Sequence, residues 1–225
     1  MLSLSLSPVN RAEVLRYMGC QGTPETLTSL IDDCERKLLA EALPKICYRI
    51  LPLVRKEQLL FCGELPLPGA DIAQHLALCD RAVVMAATLS AQADQLIQRE
   101  SVRDMTRGFA MDALASAAIE QICDKGESVL RQLLPDDSFT WRFSPGYGDF
   151  PLSLQPQLLD LLAAQKQIGL TVTENWILIP RKSVTAIIGL SKQPLPQKVR
   201  GCAVCQMRDR CQFRKNGSTC HDGGL

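Results

Sequence analysis

Trp141-Arg142-Phe143-Ser144-Pro145-Gly146-Tyr147 is the stretch whose reading decides this chain. Pro145 fixes φ and biases Ser144 away from helix. Gly146 tolerates positive φ, so Pro-Gly predicts a tight turn. Such a turn can hold Arg142 and Tyr147 near one small ligand. Arginine offers a planar fork for a carboxylate; tyrosine offers a ring and a hydroxyl. Pro-Gly between aromatics also serves in plain loops, so these residues alone leave both readings open.

Upstream, Phe139 to Phe143 reads as a strand entering the turn. Before it, Ser90 to about Cys123 is helical, with Gly108 marking a bend or close packing, and Gly126 to Leu134 extends or restarts that helix until Pro135. Ala110, Ala113, Ala115, Ser116, Ala117 and Ala118 make it dense in small side chains, which lets a backbone or a flat ligand approach. Glu120 follows one turn after Ser116. Read alone it is a solvated carboxylate near a helix end; the sharper reading aims it at the ligand of the turn.

The earlier chain reads as scaffold. Met1 to Pro8 alternates Leu and Ser, which suits a first or edge strand. A short helix over 10–18 is ended by Gly19, Gly22 and Pro24. A second, capped by Thr26 or Thr28, runs to about Leu43 with Leu27, Leu30, Ile31, Cys34 and Leu38 on one side. Strands are expected over 46–54, interrupted near Pro52, and over 58–62, then a loop over 63–69. Asp71 is expected to cap a helix to about Cys79; His75 on it is expected at the surface or behind a site. Arg81 to Ala87 predicts a short buried strand. Downstream, one helix is expected over 155–167, stopped by Gly169, and strands over 175–179 and 184–190 pair as a hairpin. Pro194 and Pro196 mark a linker.

The chain has 225 residues, 46% of them hydrophobic and 22% charged, which suits a soluble globular protein with one sizeable core. The net charge of +1 gives no bulk argument for nucleic acid or acidic lipid. With two histidines, a histidine-based metalloenzyme is disfavoured. No apolar run is long enough to span a membrane, and the N-terminus is a poor secretion signal, so a cytoplasmic protein is expected.

Six of the ten cysteines (Cys20, Cys34, Cys47, Cys62, Cys79, Cys123) are scattered, and most of them read as reduced, buried small hydrophobes. The other four follow the spacing Cys202-x2-Cys205-x5-Cys211-x8-Cys220. Four thiolates so close can bind zinc or an iron-sulfur cluster; a disulfide-linked or redox tail is the alternative. From Lys198 onward there are six Lys/Arg against two Asp, an excess that offsets an anionic metal centre or contacts an acidic partner.

Arg142-Phe143-Ser144-Pro145-Gly146-Tyr147 resembles the Arg-x-x-Pro-Gly-Tyr motif of the activation domain of cobalamin-dependent methionine synthase. The resemblance continues through Ile168-Gly169-Leu170, Thr173-Glu174-Asn175 and Pro180-x-x-Ser183-Val184-Thr185, and is clearest over 110–190. It implies S-adenosylmethionine binding, with the methyl group presented to cob(II)alamin and an electron from a donor such as flavodoxin or ferredoxin completing reductive methylation. It implies that Arg142 holds the methionine carboxylate, that the main chain at Ser144 contacts adenosine, that Tyr147 closes the motif and that Glu120 is the ligand-binding acid. Glu174 and Ser183 match loop positions near the cobalamin-facing cleft.

The chain departs from that family in three ways. Homocysteine, folate and cobalamin modules have no counterpart, so a free-standing activation subunit acting on a separate cobalamin-binding methionine synthase is expected. Another corrinoid methyltransferase system, or a non-catalytic metal-binding adaptor, are the alternatives. The family's acidic residue near the domain start has only Asp71 as a weak counterpart, and a ligand tyrosine beyond Thr185 is missing. The cysteine tail is extra, with Cys202, Cys205, Cys211 and Cys220 as metal ligands. The expected architecture is α+β (mixed α/β): one domain over 1–196, with a curved mixed or antiparallel sheet and flanking helices, then a metal-binding tail over 197–225.

Overall fold

The computed structural model describes residues 2–20, 25–57 and 59–196. The expectations for Gly22, Pro24, Gln58 and the four tail cysteines lie outside the described residues.

The elements follow one another as β1 (Leu2–Ser3), α1 (Arg11–Tyr17), α2 (Glu25–Glu41), β2 (Lys45–Lys56), β3 (Leu59–Cys62), β4 (Leu65–Leu67), α3 (Ala70–His75) and β5 (Arg81–Thr88). Then come α4 (Ala91–Arg103), α5 (Met105–Leu133), β6 (Ser138–Phe139), a 3-10 turn over Leu152–Leu154, α6 (Gln155–Leu161), α7 (Ala164–Ile168), β7 (Thr171–Val172), β8 (Leu178–Ile179) and β9 (Ser183–Ser191). The main sheet runs in the order β4-β3-β2-β5-β9-β6, with β1 also on β2. Every pairing is antiparallel, which resolves the expectation of a mixed or antiparallel sheet.

β5 is the centre. It pairs with β2 from Arg81↔Pro52 to Thr88↔Lys45, and with β9 from Arg81↔Leu190 to Thr88↔Ser183. Its side chains alternate between two cores, as the pleat demands. Val83, Met85 and Ala87 face α1, α2, α4 and α5, whereas Ala82, Val84 and Ala86 face α6 and α7. A strand covered on both faces reads as an unbroken apolar run, and Arg81-Ala-Val-Val-Met-Ala-Ala-Thr88 does.

Helix α1 starts where Asn10 accepts the Ala12 and Glu13 N–H groups. α2 buries Ile31, Cys34 and Leu38, as its periodicity predicts. Thr26 and Thr28 lie inside this helix rather than at its cap.

The expected helix over 90–123 is two helices. Asp104 is extended and accepts the Thr106 and Arg107 N–H groups, so it caps α5 and ends α4. Gly108 instead permits close packing, since a Cβ there would lie 2.2 Å from Ser101 Oγ. Most of the small residues serve packing as well: Ala110, Ala113, Ala115, Ala117 and Ala118 are buried in the α-helical core.

Four further expectations change. β2 runs through Pro52, whose carbonyl accepts the Gly63 N–H at the end of the β2–β3 ladder, so the missing N–H does not break the strand. The loop over 63–69 contains edge strand β4, where Pro66 is tolerated. Ala163 adopts left-handed backbone and divides the helix over 155–167 into α6 and α7. β8 pairs with β7, not with β9 as a hairpin. No described helix is long and apolar enough to cross a membrane.

Candidate ligand site at the Arg142 turn

The approach to the turn runs along the edge of β9. Thr140 and Phe143 donate N–H groups to the carbonyls of Gly189 and Ile187, and the Ile187 N–H returns to Phe143 at 2.9 Å. Phe143 packs into the α6/α7 core beside His75 and Phe150. Its neighbour Arg142 therefore faces the other side of the sheet, where α5 lies. His75 is buried, not superficial: its ring lies 4.6 Å from that of Trp141, tilted by 57°, and Nε2 sits 2.9 Å from the Trp141 carbonyl oxygen.

The turn has the predicted form. Tyr147 donates its N–H to Ser144 O at 3.1 Å, and Gly146 has φ 96°, the geometry of a Pro-Gly type II turn. A second turn follows, with Phe150 N–H on Tyr147 O at 3.0 Å. Asp149 then reaches α3, whose Gly69 N-cap has no side chain to offer. Its carboxylate accepts the Ala70 and Asp71 N–H groups at 2.5 and 3.1 Å. Asp71, expected to cap its own helix, instead accepts the Asp149 N–H at 3.3 Å.

Arg142 meets one face of α5. Nη2 donates to Glu120 at 3.0 Å, and Nη1 donates to Asp124 at 2.9 Å and Glu127 at 2.5 Å. The spacing of 120, 124 and 127 is that of one helical face. The Arg142 side chain is 14% exposed and Glu127 13%, whereas Glu120 is 47% exposed. Burial works against the guanidinium charge, yet the carboxylates of Glu127, Asp124 and Glu120 outweigh it and hold the group above its usual range. Tyr147 is exposed, its ring edge-on to Phe143 at 6.1 Å.

The structure thus pairs Arg142 with Glu120, while Ser144 and Tyr147 form the turn that follows, with Tyr147 against Phe143. Ser183 lies further along β9, four residues before Ile187, and its hydroxyl is engaged with Thr88 Oγ1 and Pro180 O. Glu174 is exposed in the β7–β8 turn. Sequence reasoning missed Asp124 and Glu127, although their spacing from Glu120 was the available signal. It also missed Lys182, which binds Asp112 Oδ1 at 2.9 Å and Ser116 Oγ at 2.8 Å, two turns and one turn before Glu120. A cleft of about 540 Å³ between α6, α7 and β7 lies elsewhere, with Asp160, Gln165, Lys166 and Thr171 among its lining residues.

One solved structure settles the architecture. The crystal structure of the MetH reactivation domain bound to AdoHcy superposes with a TM-score of 0.68, covering 96% of this chain and 85% of that one at 15% identity. The chain has the fold of the MetH reactivation domain. Neither a family model nor a curated protein matches the sequence. In this reactivation-domain fold, the described cysteines are all free thiols, and no group of His, Cys, Asp or Glu that could hold a metal occurs among the described residues. The proposed ligands Cys202, Cys205, Cys211 and Cys220 lie outside them.

Proposed function

We propose that this chain binds S-adenosylmethionine and serves the reductive methylation of cob(II)alamin on a separate cobalamin-dependent methionine synthase. The observation that carries the reading is the meeting of Arg142 and Glu120 beside the Ser144–Tyr147 turn, in a fold whose solved counterpart is bound to AdoHcy. When bound, S-adenosylmethionine supplies the methyl group that cobalamin accepts together with one electron from a flavodoxin- or ferredoxin-like donor.

The residues fit such a ligand. A guanidinium answers the amino-acid carboxylate, and the carboxylates of α5 answer the ammonium and sulfonium charges. In this reading the Ser144 main chain contacts the adenosine, and the exposed Tyr147 ring offers a face to the base. The task of these side chains is positioning and charge matching; no general base is required. Glu174 and Ser183 are assigned to the cobalamin-facing side. The basic tail over 197–225 is a separate unit from the domain over 1–196. Its four cysteines hold zinc or an iron-sulfur cluster, and an iron-sulfur cluster would relay the electron.

Calorimetric titration of the full chain with S-adenosylmethionine tests this, with Arg142→Ala and Tyr147→Phe beside it. Saturable binding abolished by Arg142→Ala and weakened by Tyr147→Phe is expected. Absence of binding, even with a cobalamin protein present, overturns it. Another corrinoid methyltransferase as client shares this outcome and is separated by which corrinoid protein is methylated.

A further inference from the structure

We propose that the Arg142–Glu120 ion pair is a latch that opens only for a zwitterion. The ligand carboxylate replaces Glu120 on Nη2, and the released Glu120 turns to the ligand ammonium. The inference rests on the reading of this site as a binder of an adenosyl amino acid.

The three acids around Arg142 are not equivalent. Asp124 and Glu127 share Nη1, and Glu127 is nearly buried. Glu120 alone occupies Nη2 and is half-exposed, so it can swing away without burying a charge; Asp124 is 70% exposed, but Glu127 holds Nη1 whether or not Asp124 moves. Asp124 and Glu127 therefore act as positioning residues: they keep the guanidinium in place and charged while the outer nitrogen changes partner. Without them, opening the outer pair would strand a largely buried cation.

The exchange conserves charge pairing only if the ligand carries both signs. A carboxylate without an ammonium frees Glu120 but gives it nothing to bind. An ammonium without a carboxylate draws Glu120 away and leaves Nη2 unmet. Each charge on the ligand thus supports the binding of the other, and an α-amino acid group is selected as a unit.

The test uses the uncharged-sulfur series, which removes the sulfonium as a variable. Full-length protein is titrated with S-adenosylhomocysteine, with the amine lacking its carboxylate and with the acid lacking its amine. The latch requires both single-charge analogues to bind about tenfold or more weakly than the parent. In Glu120→Gln no pair has to open, so the acid should approach the parent to within about threefold. Either analogue binding the wild type as tightly as the parent overturns the latch while leaving adenosyl binding intact. If none of the three binds, the reading of the site itself fails. The wild-type comparison stands without any variant.

Discussion

Asp149 and Asp71 cap each other's backbone. Asp149 accepts two N–H groups from the start of α3, and Asp71 on that helix accepts the Asp149 N–H in return. Two segments 78 residues apart are thereby fixed to one another. The fixed point lies two residues after Tyr147, so it sets where the turn bearing the candidate ligand residues can sit.

Asp149→Ala is expected to lower stability by about 1–2 kcal/mol, the usual effect of losing an N-cap acceptor. Asp149→Asn keeps an acceptor oxygen and should recover much of this. Urea midpoints measure the loss. Because the cap also holds the turn, Asp149→Ala should weaken S-adenosylmethionine binding although Asp149 is not assigned to the ligand. Unchanged affinity would show that Tyr147 and Arg142 are held without the cap.

Gly148→Ala should be worse than Gly146→Ala. Both glycines have positive φ, 54° and 96°. At Gly148 an added Cβ would lie 2.0 Å from Asp71 Oδ2, whereas at Gly146 it would meet only the Leu152 side chain at 3.2 Å. Gly146→Ala therefore costs mainly the backbone term, about 1 kcal/mol. Gly148→Ala adds the disruption of the reciprocal cap. Thermal melts of the two variants compare them directly; a smaller loss for Gly148→Ala would contradict the cap geometry.

A buried acid fixes the pH response. Glu100 on α4 is 2% exposed and receives Arg107 Nε at 2.6 Å and Lys37 Nζ at 3.0 Å. Burial pushes its carboxyl up, but the hydrogen bonds from Arg107 and Lys37 outweigh it and hold it below the usual range. Hydrogen bonds from Arg107 and Lys37 likewise hold Asp33 low. A depressed carboxyl stabilises the fold above its unfolded pKa, and that stabilisation is lost as pH falls through the folded value. The urea midpoint should stay level from pH 7 to about 5 and drop below about 4. Glu100→Gln should lose about 1–3 kcal/mol at pH 7, with the gap to wild type narrowing at pH 3.

Local chemistry made much of this legible. The run from Arg81 to Thr88 announced a strand buried on both faces, and Pro145-Gly146 announced its turn type. The spacing of Ile31, Cys34 and Leu38 announced the buried side of α2. What stayed hidden depends on partners distant in sequence. β4 is masked by Pro66, which is tolerated only because the strand lies at an edge. β2 survives Pro52 because the ladder to β3 ends there. Gly108 drew attention as a breaker, yet Asp104 ends the helix because its carboxylate caps the next one. Arg142 and Glu120 were named as ligand residues, but that they bind one another emerges only once the chain end of β6 is laid beside α5.

The cysteines divide by reactivity, which gives a direct assay for the proposed metal. Burial pushes the Cys47 thiol up to about 11 and Cys62 up to about 12; burial, then Asp80, pushes Cys79 up to about 11. Burial also raises Cys34 and Cys123. At neutral pH these five are almost wholly protonated, and the thiolate is the reactive form. Native full-length protein treated with iodoacetamide should therefore resist modification at these positions until it is unfolded. Metal-free protein should be alkylated at Cys202, Cys205, Cys211 and Cys220, and zinc or a reconstituted iron-sulfur cluster should protect those four together, because donation to the metal lowers the nucleophilicity of each thiolate. Peptide mass mapping with and without metal reads the pattern. Equal modification of the four in both samples would remove the metal site, and early modification of Cys62 would contradict its burial.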